Sequence, residues 1–150
     1  MDEHAIPEGT LQLSRPAHPA QLGYIRTQVQ RWAQRHRVPE DALIDLQLAL
    51  GEAVANGVEH AYADMAAGTV DVEVCLWRTP RRPQGCTAAT GLQPEGRTIT
   101  VRVADHGRWR PPPTGARYRG RGMLVIERLA RHTEIIRSSE GTRVCFEIPF

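Results

Sequence analysis

Residues 46–61 leave the folding of this chain the fewest choices. Leu46, Leu50, Ala53 and Val54 recur at helical spacing and predict one buried stripe. Glu52, Asn56 and His60 stand at i, i+4 and i+8, so they line another side of the same helix. A carboxylate and an amide one turn apart both offer oxygen ligands. They can share a hard cation and a water. Taken alone, such a pair is better explained by a solvated helix face.

Two later motifs change the balance. Residues 98–105 alternate Val101 and Val103 with Thr100 and Arg102, which predicts a strand. The strand ends in Asp105, and Gly107 follows two residues later. A terminal carboxylate can accept a hydrogen bond from an amino group, and a glycine lets the backbone turn away. Further on, Gly120-Arg121-Gly122-Met123 opens an apolar-periodic segment that predicts a helix. The first turn of a helix has unpaired N–H groups and a partial positive charge, which suit phosphate. An Asp-x-Gly or a Gly-x-Gly is weak on its own: each also describes an ordinary turn or loop.

In this order the three motifs resemble the ATP-binding domain shared by gyrase, Hsp90, histidine kinases and MutL. The phrase from Leu48 to Tyr62 is similar to the first box of the anti-sigma-factor serine kinases within that superfamily. The resemblance covers about residues 15–150 of one domain, 1–150. It implies the Bergerat fold: an α/β sandwich with a mixed, largely antiparallel sheet and helices packed on one face. Helices gathered apart from a run of strands argue for the same class. One departure stands out. The family's second box often reads Asp-x-Gly-x-Gly, and here Trp109 occupies the place of the second glycine.

Composition narrows the function classes. All 19 basic residues are arginine and no lysine occurs. That excludes a Walker P-loop and a eukaryotic-type kinase strand lysine. Nothing is apolar enough for a membrane span or a signal peptide, so no membrane association and a cytoplasmic location are expected. The net charge of +2 says little about partners. Arg108, Arg110, Arg117, Arg119 and Arg121 form a basic strip with no acid among them. One or two should reach triphosphate or acceptor. Aromatic interleaving and a recognition helix are missing, so no direct nucleic-acid contact is expected. Cys75 and Cys145 lie in strand patterns and read as packing thiols, while Cys86 lies in a loop. His36, His106 and His132 read as surface or structural.

The periodicity predicts strands at about 10–14, 68–78, 97–105, 133–138 and 142–149. Helices are expected at about 19–37, from Pro39 to about residue 61, and after the Gly-x-Gly to near His132. The first helix should bury Leu22, Ile25, Val29 and Trp32. Residues 79–96, with three prolines and three glycines, predict a long flexible loop.

The resemblance and these placements together give each residue a role. Asp105 reads the adenine amino group, with Gly107 turning the chain. Asn56 helps to hold Mg²⁺, His60 continues that face, and the backbone of Gly120, Arg121, Gly122 and Met123 cradles phosphate. Glu52 is the candidate catalytic base. Thr142, after Gly141, resembles the family threonine that supports the adenine site through water. The resemblance further implies ATP and Mg²⁺ as cofactors and a STAS-type anti-anti-sigma protein as acceptor. It implies a sigma factor as second partner, and a homodimer. Three classes follow: a protein serine/threonine kinase that also sequesters a sigma factor, a nucleotide-binding regulatory module without kinase activity, or the ATPase part of a histidine kinase. The last is disfavoured, since no helical hairpin with a phosphoacceptor histidine is expected before the first box. Residues 107–121 should act as a lid over the nucleotide.

Overall fold

The computed structural model describes residues 6–60, 68–78, 96–107 and 120–150; of His60, Gly120 and Arg121 it describes the backbone alone. Five strands and three helices follow in the order β1 (Gly9–Pro16), α1 (Gln21–Arg35), α2 (Glu40–His60), β2 (Thr69–Trp77), β3 (Thr98–Asp105), α3 (Gly120–Leu129), β4 (Arg131–Ser138) and β5 (Gly141–Pro149). All eight were expected from periodicity, with ends shifted by a few residues. The largest shift is at α3, which stops at Leu129 so that β4 can begin at Arg131.

The strands form one sheet in the order β1-β2-β3-β5-β4. Among the described residues all four pairings are antiparallel. The sheet is therefore more uniform than the expected mixed one, while the α/β sandwich stands. Alternation decides which face is buried. Leu13, Val72, Val103, Val144 and Ile135 are successive cross-strand partners, and Leu11, Val74, Val101 and Phe146 form the next row. These rows meet Leu46, Ala49, Leu50, Ala53 and Val54 of α2, Ile25, Val29 and Trp32 of α1, and Ile126 of α3 in a single core. Leu22 is only partly buried at its margin. Full burial of a side chain such as Phe146 or Leu50 contributes about 1.5–3 kcal/mol.

The other face carries the polar residues of the alternation. Gln12 donates to Glu73 at 2.8 Å, Arg102 pairs with Glu73 at 3.6 Å, and Trp77 Nε1 donates to Thr100 Oγ1 at 2.8 Å. Cys75 is a buried free thiol beside Thr10 Oγ1, as its strand position implied. Cys145 is instead disulfide-bonded, which corrects its reading as a packing thiol.

The turn between α1 and α2 fixes how α2 lies on the sheet. Arg37 takes a left-handed conformation, φ 55°, where a glycine usually stands. Its N–H bonds to Gln34 O at 3.2 Å and that of Val38 to Ala33 O at 2.9 Å, which closes the helix end. Pro39 then precedes α2, and Glu40 and Asp41 place negative charge in its first turn, against the helix dipole. No described helix is long and apolar enough to cross a membrane.

Candidate functional site

Asp105 ends β3 on the helix side of the sheet, in register with Val70 of β2. Its side chain is buried between the sheet and α2. Oδ1 accepts the backbone N–H groups of Gly107 and Thr142, both at 3.2 Å. Burial pushes the carboxyl above the usual carboxylate range, and the two N–H donors pull only partly against it. Among the described residues Oδ2 takes no hydrogen bond, so one acceptor remains for an incoming group. A Cβ built on Gly57 of α2 would stand 3.6 Å from that oxygen, so α2 passes close beside it.

Gly141 explains why β5 meets the end of β3 so tightly. Its φ is +138°, a conformation that side chains rarely adopt. A Cβ there would overlap the carbonyl oxygen of Asp105 and stand 3.0 Å from His106 Cα. Ser139-Glu140-Gly141, between the two predicted strands, is a hairpin turn signal in the sequence. The close approach that demands this glycine leaves no such signal. Thr142 follows directly, and its contribution to Asp105 is a main-chain N–H, in addition to whatever its hydroxyl does.

On α2, Glu52 is exposed and Asn56 half-buried, one turn apart as their spacing required. The backbone of His60 continues the row. Gly120 and Gly122 form the first turn of α3 rather than a loop before it. Met123 packs against the core and Ile126 anchors the helix. A Cβ built on Gly122 would stand 2.8 Å from Glu52 Oε2, so the carboxylate rests on the glycine. First and third motifs thus touch through Glu52 and Gly122, and first and second through Gly57 and Asp105. Among the described residues no group of three or more His, Cys, Asp and Glu could hold a metal ion. A cation here would depend on Asn56 together with oxygens from a ligand or water. Residues 108–119, which make up most of the expected lid and include Trp109, Tyr118 and four of the five strip arginines, lie outside the described residues, as do residues 79–95 of the expected loop.

A model of the histidine kinase-like ATPase domain matches residues 15–148. The chain belongs to that family. This member of the histidine kinase-like ATPase domain family is similar to the serine-protein kinase RsbW of Bacillus velezensis, 36% identical over 62 residues, which are 41% of this chain and 39% of that kinase. It is also similar to the crystal structure of the RsbU and RsbW domains of Rv1364c from Mycobacterium tuberculosis. There the TM-score is 0.65 and the identity 20%, over 95% of this chain and 32% of that one. The second likeness establishes the fold. In both, this chain spans well under half the length of the protein it matches. The family and the fold agree with the resemblance that the three motifs carry.

The residues present fit an adenine nucleotide. Asp105 keeps one oxygen available beside Gly57, and α3 presents its N-terminal N–H groups.

Proposed function

We propose that the protein is an ATP-dependent protein serine/threonine kinase of the anti-sigma-factor type. Its acceptor would be a STAS-type antagonist, its second partner a sigma factor, and its working form a homodimer in the cytoplasm. The observation that carries this reading is Glu52 lying against Gly122. That contact brings a carboxylate to the start of the helix that suits phosphate.

Asp105 Oδ2 accepts the adenine amino group, and Thr142 and Gly107 hold the carboxylate in its orientation. The N–H groups of Gly120, Arg121, Gly122 and Met123 at the start of α3 bind phosphate oxygens. Asn56 offers its amide oxygen to Mg²⁺, which when bound neutralises phosphate charge. Glu52 takes the proton of the acceptor hydroxyl as that oxygen attacks the γ-phosphorus. The new oxygen–phosphorus bond forms while the bond to the β-phosphate oxygen breaks, and ADP leaves. Such a transfer needs mainly positioning and charge stabilisation, so this small set of groups suffices.

A second reading, a nucleotide-binding regulatory module without transfer, is favoured by Trp109 in place of the second glycine of the box. Incubation with labelled ATP and the STAS-type proteins of the same genome separates the two. Label on a serine or threonine of one of them supports the kinase. No label, together with ATP-dependent binding of a sigma factor or antagonist, supports the module.

A further inference from the structure

His106 is the residue between Asp105 and Gly107, and it is anchored across the sheet. Its Nε2 lies 2.7 Å from Asp71 Oδ2 on β2. The other oxygen of Asp71 accepts Ser14 Oγ of β1 at 2.7 Å. A line of contacts thus runs from β1 through β2 to the turn after β3. Partial burial pushes the Asp71 carboxyl up. The hydrogen bonds from His106 and Ser14, with the charges of His106 and Arg102, outweigh this and hold it below its ordinary range. It is therefore an anion at neutral pH and accepts from the imidazole of His106.

The position of this pair matters more than its strength. Gly107 supplies one of the two N–H groups that orient Asp105 Oδ1, and it directly follows His106. A turn pinned at His106 keeps that N–H in place, and a turn released there does not. We propose that His106 is a positioning residue for nucleotide binding, which pairs with Asp71 to fix the turn carrying Asp105 and does so best when its imidazole is charged. This rests on the reading of Asp105 as the adenine acceptor.

Charged and titratable groups face His106 from several elements among the described residues. Asp71 faces it from β2, with Arg102 of β3 beyond Asp71, and Asp105 precedes it on β3. Glu140 and Arg143 of the β4–β5 hairpin line a recess with it. Asp71 is in direct contact with it. The pair is solvent-accessible, so its effect is modest.

The test is ATP affinity by calorimetry at about pH 6 and about pH 8 for the wild type, His106→Gln, Asp71→Asn and His106→Arg. Protonation of the nucleotide itself is common to all four and cancels in the comparison. The wild type should gain about two- to fivefold more affinity on acidification than the Gln and Asn variants. His106→Arg, a permanent cation, should bind well at both pH values and lose the dependence. A Gln or Asn variant with the wild-type pH profile, even one of lowered stability, overturns the proposal. So does an imidazole titration of His106, followed by NMR in the free protein, that is unchanged by Asp71→Asn. If the wild type binds no ATP at either pH, the adenine reading itself fails. A normal His106–Asp71 titration alongside would locate the failure there rather than in the clamp, whose role in nucleotide binding would still be overturned.

Discussion

The carboxylate of Glu52 rests on Gly122, with Oε2 2.8 Å from the point where a Cβ would stand. The two residues lie 70 positions apart in the chain, and the packing of α3 against α2 brings them together. Glu52 is the flexible and exposed partner, so it would yield to a methyl group by swinging away.

Gly122→Ala should therefore separate stability from function. Alanine is favoured over glycine in a helix by up to about 1 kcal/mol. Thermal unfolding should occur at the same temperature or higher. Phosphotransfer should fall about ten- to a hundredfold, since a displaced catalytic group costs that much. Unaltered transfer with labelled ATP would mean that the contact has no part in the reaction.

Asp105→Asn should weaken ATP binding by about ten- to a hundredfold, the loss of a hydrogen bond to a charged acceptor. The folded protein should not suffer at neutral pH. Burial raises this carboxyl above its ordinary value, so the stability it contributes is present below the ordinary carboxylate range and fades as pH rises through its folded value. A neutral amide avoids that loss and can still accept the two N–H groups through its oxygen. Calorimetry with ATP and urea unfolding at pH 7 read the two halves of this prediction.

Gly141→Ala should do the opposite, damaging the fold first. The substitution puts a side chain where the Asp105 carbonyl stands, in a backbone conformation that costs about 1–3 kcal/mol for residues other than glycine. Urea unfolding should show at least that loss. ATP binding should weaken as well, because the Thr142 N–H that orients Asp105 moves with the turn.

The three motifs and nearly every element were legible in the sequence, for a physical reason. The face with Glu52 and Asn56 follows from helical repeat alone, and Asp105 from strand alternation with a glycine after it. What was not legible depends on distant parts of the chain. Nothing near His106 indicates that register brings Asp71 of β2 opposite Ala104, within reach of the imidazole. The demand for glycine at 141 comes from the main chain of residues 105 and 106, over thirty positions away. Periodicity also placed the two glycines before α3, whereas they form its first turn, because a helix start is set by hydrogen bonding and not by the apolar stripe.

Asn56→Ala should act through the metal. The wild type should bind ATP more tightly with Mg²⁺ than with EDTA, and the variant should lose most of that difference while its metal-free affinity stays close to the wild-type value. Calorimetry in the two buffers checks this. A full difference in the variant would exclude Asn56 as a ligand.

The proposed role of Glu52, to take the acceptor proton, is read most directly from the phosphotransfer rate of Glu52→Gln at saturating ATP and STAS-type acceptor. Glutamine has nearly the same size and still accepts a hydrogen bond, so nucleotide and partner binding should persist. It cannot act as a base, and general-base catalysis is worth about a hundred- to ten-thousandfold. The rate should fall within that range with nearly unchanged affinities. A variant that transfers phosphate at the wild-type rate would contradict that role and leave Glu52 as the solvated helix residue its exposure alone would suggest.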